Sequence, residues 1–254
     1  VLLIQPERVR LLNDREPRKS GYVLYWMQQA QRASWNHALE YAIREANERK
    51  LPLVAAFGIT RRFPQAQSRH YAFMLEGLRE AQTGLRERGI SLVVRLAPPP
   101  ETVAALSHGA ALIVTDAGYL RVQRAWRSRV AKEAGCRVVQ VESDVVVPAG
   151  LVSDKEEYAA RTIRPKIHRH LSSFLKPLEE TRLERSSLKL KLATIGLSDV
   201  GDILSKLAVG SRARPVSSFS GGTSEAEKRL EEFLRTGLRD YAGHHSDPGR
   251  GVES

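Results

Sequence analysis

A chain of 254 residues with 42% hydrophobic residues can bury one large core or two small ones, which excludes a protein disordered throughout. Forty basic against 29 acidic residues give a formal net charge of +11; this favours polyanions such as nucleic acid or anionic lipid, and is equally compatible with a merely basic surface. A single cysteine, Cys136, excludes an intramolecular disulfide, and no apolar run approaches the ~20 residues that cross a bilayer, so a soluble cytoplasmic protein is expected.

The opening VLLIQPERVR is too short in its apolar part for a signal peptide, and Val at position 1 points to an end that is not native. The first strong signal is Gly21 to Leu39, GYVLYWMQQAQRASWNHAL. Tyr22 to Met27 read as a strand buried on both faces. The polar residues that follow, Gln28, Gln29, Gln31, Arg32 and Asn36, stand where an open parallel sheet meets its ligand. They are equally suited to hydrogen-bonding a small planar ligand or to satisfying backbone groups at the strand end. Four further apolar runs follow: Leu53 to Phe57, Leu92 to Leu96, Ala111 to Thr115 and Arg137 to Val141.

Helical stripes lie between these runs, one on Ala38, Leu39, Ala42, Ile43 and Ala46, another on Tyr71, Met74, Leu75, Leu78 and Leu85. Ser34 and Ser68 are the expected N-caps, and Gly89 is the stop of the second helix. A third helix is expected over about Leu120 to Ala134. Strands alternating with helices predict an α/β fold, a doubly wound parallel sheet of five strands within residues 1 to about 150. Asp116, ending the fourth run, faces either a ligand in the crevice or the turn into the next helix as its cap. Cys136 leads into a strand and reads as a buried structural thiol.

From Val152 to Leu175 the chain turns helical and basic, with Pro165 expected to break or kink it. Arg161, Arg164, Lys166, His168 and Arg169 suit phosphate, or an acidic face of another domain. His168 and His170 do not form a metal-ligand spacing with any other pair. Residues 176–222 read as a long connection with a weak helical patch around Ser198 to Leu207. The last helix has an expected capping box of Ser224 with Glu227 and an apolar stripe of Ala226, Leu230, Phe233, Leu234, Leu238 and Tyr241. A face that apolar must pack on something. No GxGxxG after the first strand, P-loop, GxSxG, HExxH or paired CxxC is present, so the common dinucleotide, NTP, hydrolase and zinc readings lack support.

YVLYWMQQAQRASWNHAL, RHYAFMLEGLREAQTGL, VTDAGYLR, VESDVVVP and EYAARTIRPKI, in that order and spacing, resemble the amino-terminal half of class II cyclobutane pyrimidine dimer DNA photolyases. The similarity runs from about Val9 to Leu175 and resumes at SGGTSEAEKRLEEFLRTGLRDYAGHHSDP. The resemblance implies a Rossmann-like antenna domain over 1–175, an interdomain linker over 176–222 and the truncated start of an all-α FAD-binding domain over 223–254. It implies a flavoenzyme that uses light to pass an electron from reduced FAD to a pyrimidine dimer in UV-damaged DNA, acting as a monomer away from membranes. It assigns Tyr241 to FAD, and Gln28, Arg32 and Asp116 to the edge for an antenna chromophore, a deazaflavin or a folate. Arg161, Arg164 and Lys166 are the nucleic-acid candidates, and no metal is expected. Catalytic residues of that family lie beyond Ser254, so this chain is expected to be an inactive fragment. The Gln28-Gln29-Ala30-Gln31-Arg32 turn departs from the family's Ser-Arg-Asp-Gln-Arg, and Trp35-Asn36 from its Asp-Asn. Two rivals remain open: a cryptochrome-like photoreceptor and a stand-alone ligand-binding α/β protein without flavin.

Overall fold

A computed structural model describes residues 4–19, 21–210, 219–244 and 247. A short strand, β1 (Val9–Leu11), precedes the five expected ones, β2 (Tyr22–Trp26), β3 (Leu53–Gly58), β4 (Ser91–Arg95), β5 (Ala110–Asp116) and β6 (Arg137–Val141). The sheet order is β1-β6-β5-β2-β3-β4, with every pair parallel except β1 on β6. The sheet therefore has six strands, one more than expected. Three residues with two exposed give β1 no periodicity to read.

Helices α1 (His37–Glu48), α2 (Ser68–Glu87), α3 (Pro99–Ser107) and α4 (Arg121–Glu133) connect the parallel strands. One sheet face buries Leu24, Trp26, Val54, Val93 and Ile113 against Val103 and Leu106 of α3 and Val130 of α4. Asn36, not Ser34, caps α1: its Oδ1 accepts the Leu39 N–H, while its Nδ2 donates to the Tyr25 hydroxyl and the Ala30 and Arg32 carbonyls. Gly89 ends α2 with φ +78°, a conformation that costs glycine least. Pro99 and Pro100 open α3, where a missing N–H costs nothing, so the triple proline is a helix start.

A four-residue α5 (Ala149–Val152) precedes α6 (Ala160–Phe174), which runs through Pro165 without a break. The expected break does not occur: Pro165 is exposed, so its ring meets no packed neighbour, and the helix continues to Phe174.

The described residues divide into two units: a first containing the sheet and Gln82–Gly196, and a second of Phe63–Ala81 with the residues from Leu197 onward. Much of the expected linker thus belongs to the first unit. Residues 181–196 run along the open edge of β4. The Ser187 N–H reaches the Gly89 carbonyl at 2.9 Å and the Ile195 N–H the Val94 carbonyl at 2.9 Å. The Ser187 and Thr194 hydroxyls accept the Ser91 and Val94 amides at 2.8 and 2.9 Å. The segment is pinned by the buried Glu40 carboxylate, which pairs with Arg88 at 2.6 Å and accepts the Thr181 N–H at 2.6 Å.

In the second unit, α7 (Val200–Leu207) is capped by Asp199 and buries Ile203 and Leu207. The last helix comprises α8 (Thr223–Glu232), a π turn (Phe233–Gly237) and α9 (Leu238–His244). Its N-cap is Gly222, and Ser224 lies inside the first turn, so the expected capping box is replaced. Glu80 of α2 accepts both the Ser224 N–H and hydroxyl, and Glu76 accepts the Gly221 N–H. No described helix is long and apolar enough to cross a membrane.

Candidate functional site

The polar residues that end β2 meet Asp116, which ends the adjacent β5, at the carboxyl edge of the sheet. The Asp116 carboxylate is buried and accepts three consecutive backbone amides, Gln28 at 2.7 Å, Gln29 at 2.5 Å and Ala30 at 2.7 Å. Burial raises its pKa against these bonds, which oppose the rise. It therefore caps the loop leaving β2; α4 starts from Leu120 instead.

Gln28 is buried beside it, its Oε1 accepting from Arg127 at 2.8 Å. Burial lowers the Arg127 pKa, and the nearby Asp116 charge opposes that fall. Gln123 of α4 donates to the Gln29 side chain at 2.8 Å and accepts the Leu120 N–H at 3.2 Å. A side chain at Gly118 would collide with that Gln123 amide, so glycine is required for the amide to lie against the loop. Arg32 pairs with Asp144 at 2.8 Å and donates to the carbonyls of Trp35 and Ser143. It thereby ties the β2–α1 loop to the loop after β6 and leaves Trp35, at φ +49°, 62% exposed. The edge thus brings Gln28, Arg32 and Asp116 together, with most of their polar atoms turned to the chain's own backbone.

Three buried polar atoms among the described residues have no partner: Trp26 Nε1, His37 Nδ1 and Thr102 Oγ1. Trp26 is the last residue of β2, and His37 the first of α1. Burial, then the charges of Arg8 and Arg32, hold the His37 pKa down to about 4. Sequence reading passes over these groups because an unpaired atom leaves no periodic signal.

Arg161 and Arg164 are exposed on α6, three residues apart and so on one face. Lys166 differs: it pairs with Glu157 at 2.5 Å and donates to the Ser153 hydroxyl. Tyr158, before the helix and 92% exposed, is an aromatic neighbour that the basic pattern alone did not single out. In the second unit, Tyr241 is half-buried and meets the Phe233 ring edge-on, centroids 5.5 Å apart. Cys136 is buried in the core, and burial raises its thiol pKa, as for an inert structural cysteine. Among the described residues no three His, Cys, Asp or Glu converge as a metal site.

Residues 23–184 match the DNA photolyase family. The chain is 45% identical over 247 residues to a deoxyribodipyrimidine photo-lyase from Methanothermobacter thermautotrophicus, covering 97% of this chain and 54% of that protein. Its fold is similar to a cryptochrome from Synechocystis sp. PCC6803 (TM-score 0.68, 16% identity, 88% of this chain and 48% of that one). It is also similar to an archaeal photolyase from Sulfolobus tokodaii solved with two FAD molecules (TM-score 0.61, 17% identity, 82% and 45%). The chain spans about half the length of the relatives it matches. The six-stranded α/β architecture and the family match over most of the first unit agree, and the chain belongs to the DNA photolyase family.

Proposed function

We propose that this chain is the amino-terminal half of a class II, light-driven lyase that splits cyclobutane pyrimidine dimers in DNA. The observation that carries the reading is the 45% identity, across nearly the whole chain, to a protein named deoxyribodipyrimidine photo-lyase. FAD, when bound and reduced, supplies the excited electron that cleaves the dimer, and the electron then returns. This chain's share is binding and orientation. Tyr241 offers one phenol toward the cofactor's phosphate or ribitol side. One phenol meets only a small part of a dinucleotide, so the 254-residue chain alone holds no stoichiometric FAD and repairs nothing. Leu230, Leu234 and Leu238, each just over half exposed, are covered in this reading by the remainder of the helical domain.

The carboxyl edge of the sheet is the antenna side. Its polar loop, preorganised by Asp116 and Arg32, meets a deazaflavin or a folate. Arg161 and Arg164 meet DNA phosphate, and Lys166 supports them by fixing the start of α6 through Glu157. The protein acts in the cytoplasm as a monomer. The cryptochrome fold neighbour keeps a signalling reading in the test.

The test replaces the corresponding half of the Methanothermobacter enzyme with this chain and illuminates a thymine-dimer oligonucleotide with blue light. Repair by the chimera, and none by the chain alone, is expected. A folded, FAD-loaded chimera that leaves dimers intact overturns the lyase reading in favour of a photoreceptor; repair by the chain alone overturns its dependence on a second half.

A further inference from the structure

The last helix carries an irregularity whose position is informative. In an α-helix, residues eight apart are turned ~80° from one another, whereas residues seven apart nearly share a face. Phe233 and Tyr241 are eight apart, yet their rings touch. The Leu238 N–H reaches the Phe233 carbonyl, five residues back, so Phe233–Gly237 form a π turn. That turn takes up about one residue more than an α turn. Across it, a spacing of eight spans the rotation that seven spans elsewhere. The Thr236 hydroxyl bonds back to the Glu232 carbonyl at 2.7 Å within the same turn.

The same insertion straightens a second row. Leu230, Leu234 and Leu238 also span eight residues and are all exposed, whereas Phe233, Gly237 and Tyr241 are all half-buried. What a continuous 3.6-residue period reads as one broad stripe is therefore two parallel lines, one of leucines and one running from ring to ring through a glycine.

We propose that the π turn is a register device, in which the extra residue brings Tyr241 into line with Phe233 and the Phe233 ring sets the direction in which the Tyr241 phenol is offered to the flavin cofactor. Phe233 is thus a positioning residue that acts through Tyr241. Gly237, between the two on the same row, has no side chain to come between the rings. The proposal rests on the reading of Tyr241 as a cofactor contact.

The test uses the full 254-residue chain with labelled Phe and Tyr and FAD in large excess as the probe, read by NMR. In the unaltered chain, Phe233–Tyr241 ring cross-peaks are expected, and excess FAD shifts the Tyr241 ring signals weakly. Deleting Thr236 turns the π turn into an α turn and abolishes both. Phe233→Leu, which keeps the helix regular, weakens the FAD response about fivefold, the worth of an aromatic edge contact. Phe233→Tyr restores it. Ring cross-peaks that survive the deletion overturn the register device. Cross-peaks lost without any change in the FAD response overturn its link to the cofactor. If the unaltered chain shows the cross-peaks but Tyr241 ignores FAD, the cofactor reading of Tyr241 itself fails, and the proposal falls with it.

Discussion

At the scale of single residues, the carboxyl edge is held by charge satisfied from within. Asp116 takes three backbone amides in a dry site, so Asp116→Asn leaves at least one of them without its acceptor. The expected cost is about 2–4 kcal/mol, since hydrogen bonds to a charged group are worth more than neutral ones and an unmet buried amide adds its own penalty. Urea unfolding of the variant measures it; a loss below about 0.5 kcal/mol would show that the loop does not depend on this carboxylate. His37 gives the pH dependence. Its pKa is lowered from 6.5 to about 4, so between those values the unfolded chain binds more protons than the folded one. The stability it contributes is present above pH 6.5 and is lost as the pH falls through about 4. His37→Gln should flatten the fall in unfolding midpoint between pH 7 and pH 4 by on the order of 1 kcal/mol, allowing for solvent screening of a partly exposed ring.

At the scale of elements, the segment over 181–196 behaves as part of the sheet domain because of one buried ion pair. Glu40→Ala removes the partner of Arg88 and the acceptor of the Thr181 amide together. Leaving a buried charge unpaired costs about 3–5 kcal/mol. Hydrogen exchange should show the Ser187 and Ile195 amides losing protection first, before the β5 amides; unchanged protection would mean that the edge hydrogen bonds hold the segment unaided. Five strands, α1, α2 and α4 were legible because each buries enough of its length to impose a period. The edge strand β1 and the segment along β4 were not. The first is too short to show alternation, and the second is attached by Ser and Thr hydroxyls and by Glu40, which the chain carries some 140 residues earlier. At the site, the position of Asp116 and of the amide cluster was legible from the strand end. Which backbone groups they serve was not, because that depends on loops from three strands meeting in space. The π turn was invisible for a related reason: a stripe as broad as Ala226 to Tyr241 reads as apolar with or without one inserted residue, and only the contact between the Phe233 and Tyr241 rings exposes it.

At the scale of the whole molecule, the proposed DNA contact of a chain with a net charge of +11 predicts salt-sensitive binding. Arg161 and Arg164 together should contribute about 2 to the slope of log affinity against log salt, so their replacement by Ala should lower the slope by that amount. Anisotropy titrations of a dimer-containing duplex over a range of KCl concentrations measure this, and an unaltered slope would remove α6 from the DNA surface. The covering of β4 has a further consequence for the molecule among its neighbours. A parallel sheet ending in a bare strand offers a row of amides and carbonyls to any other chain. Here one margin is occupied by a segment bound through hydroxyls, and the other is a strand of three residues. A chain cut at residue 175, where the helical pattern stops, would expose β4 as a template for aggregation, whereas one cut after Gly196 would keep the margin closed and the sheet domain dispersed.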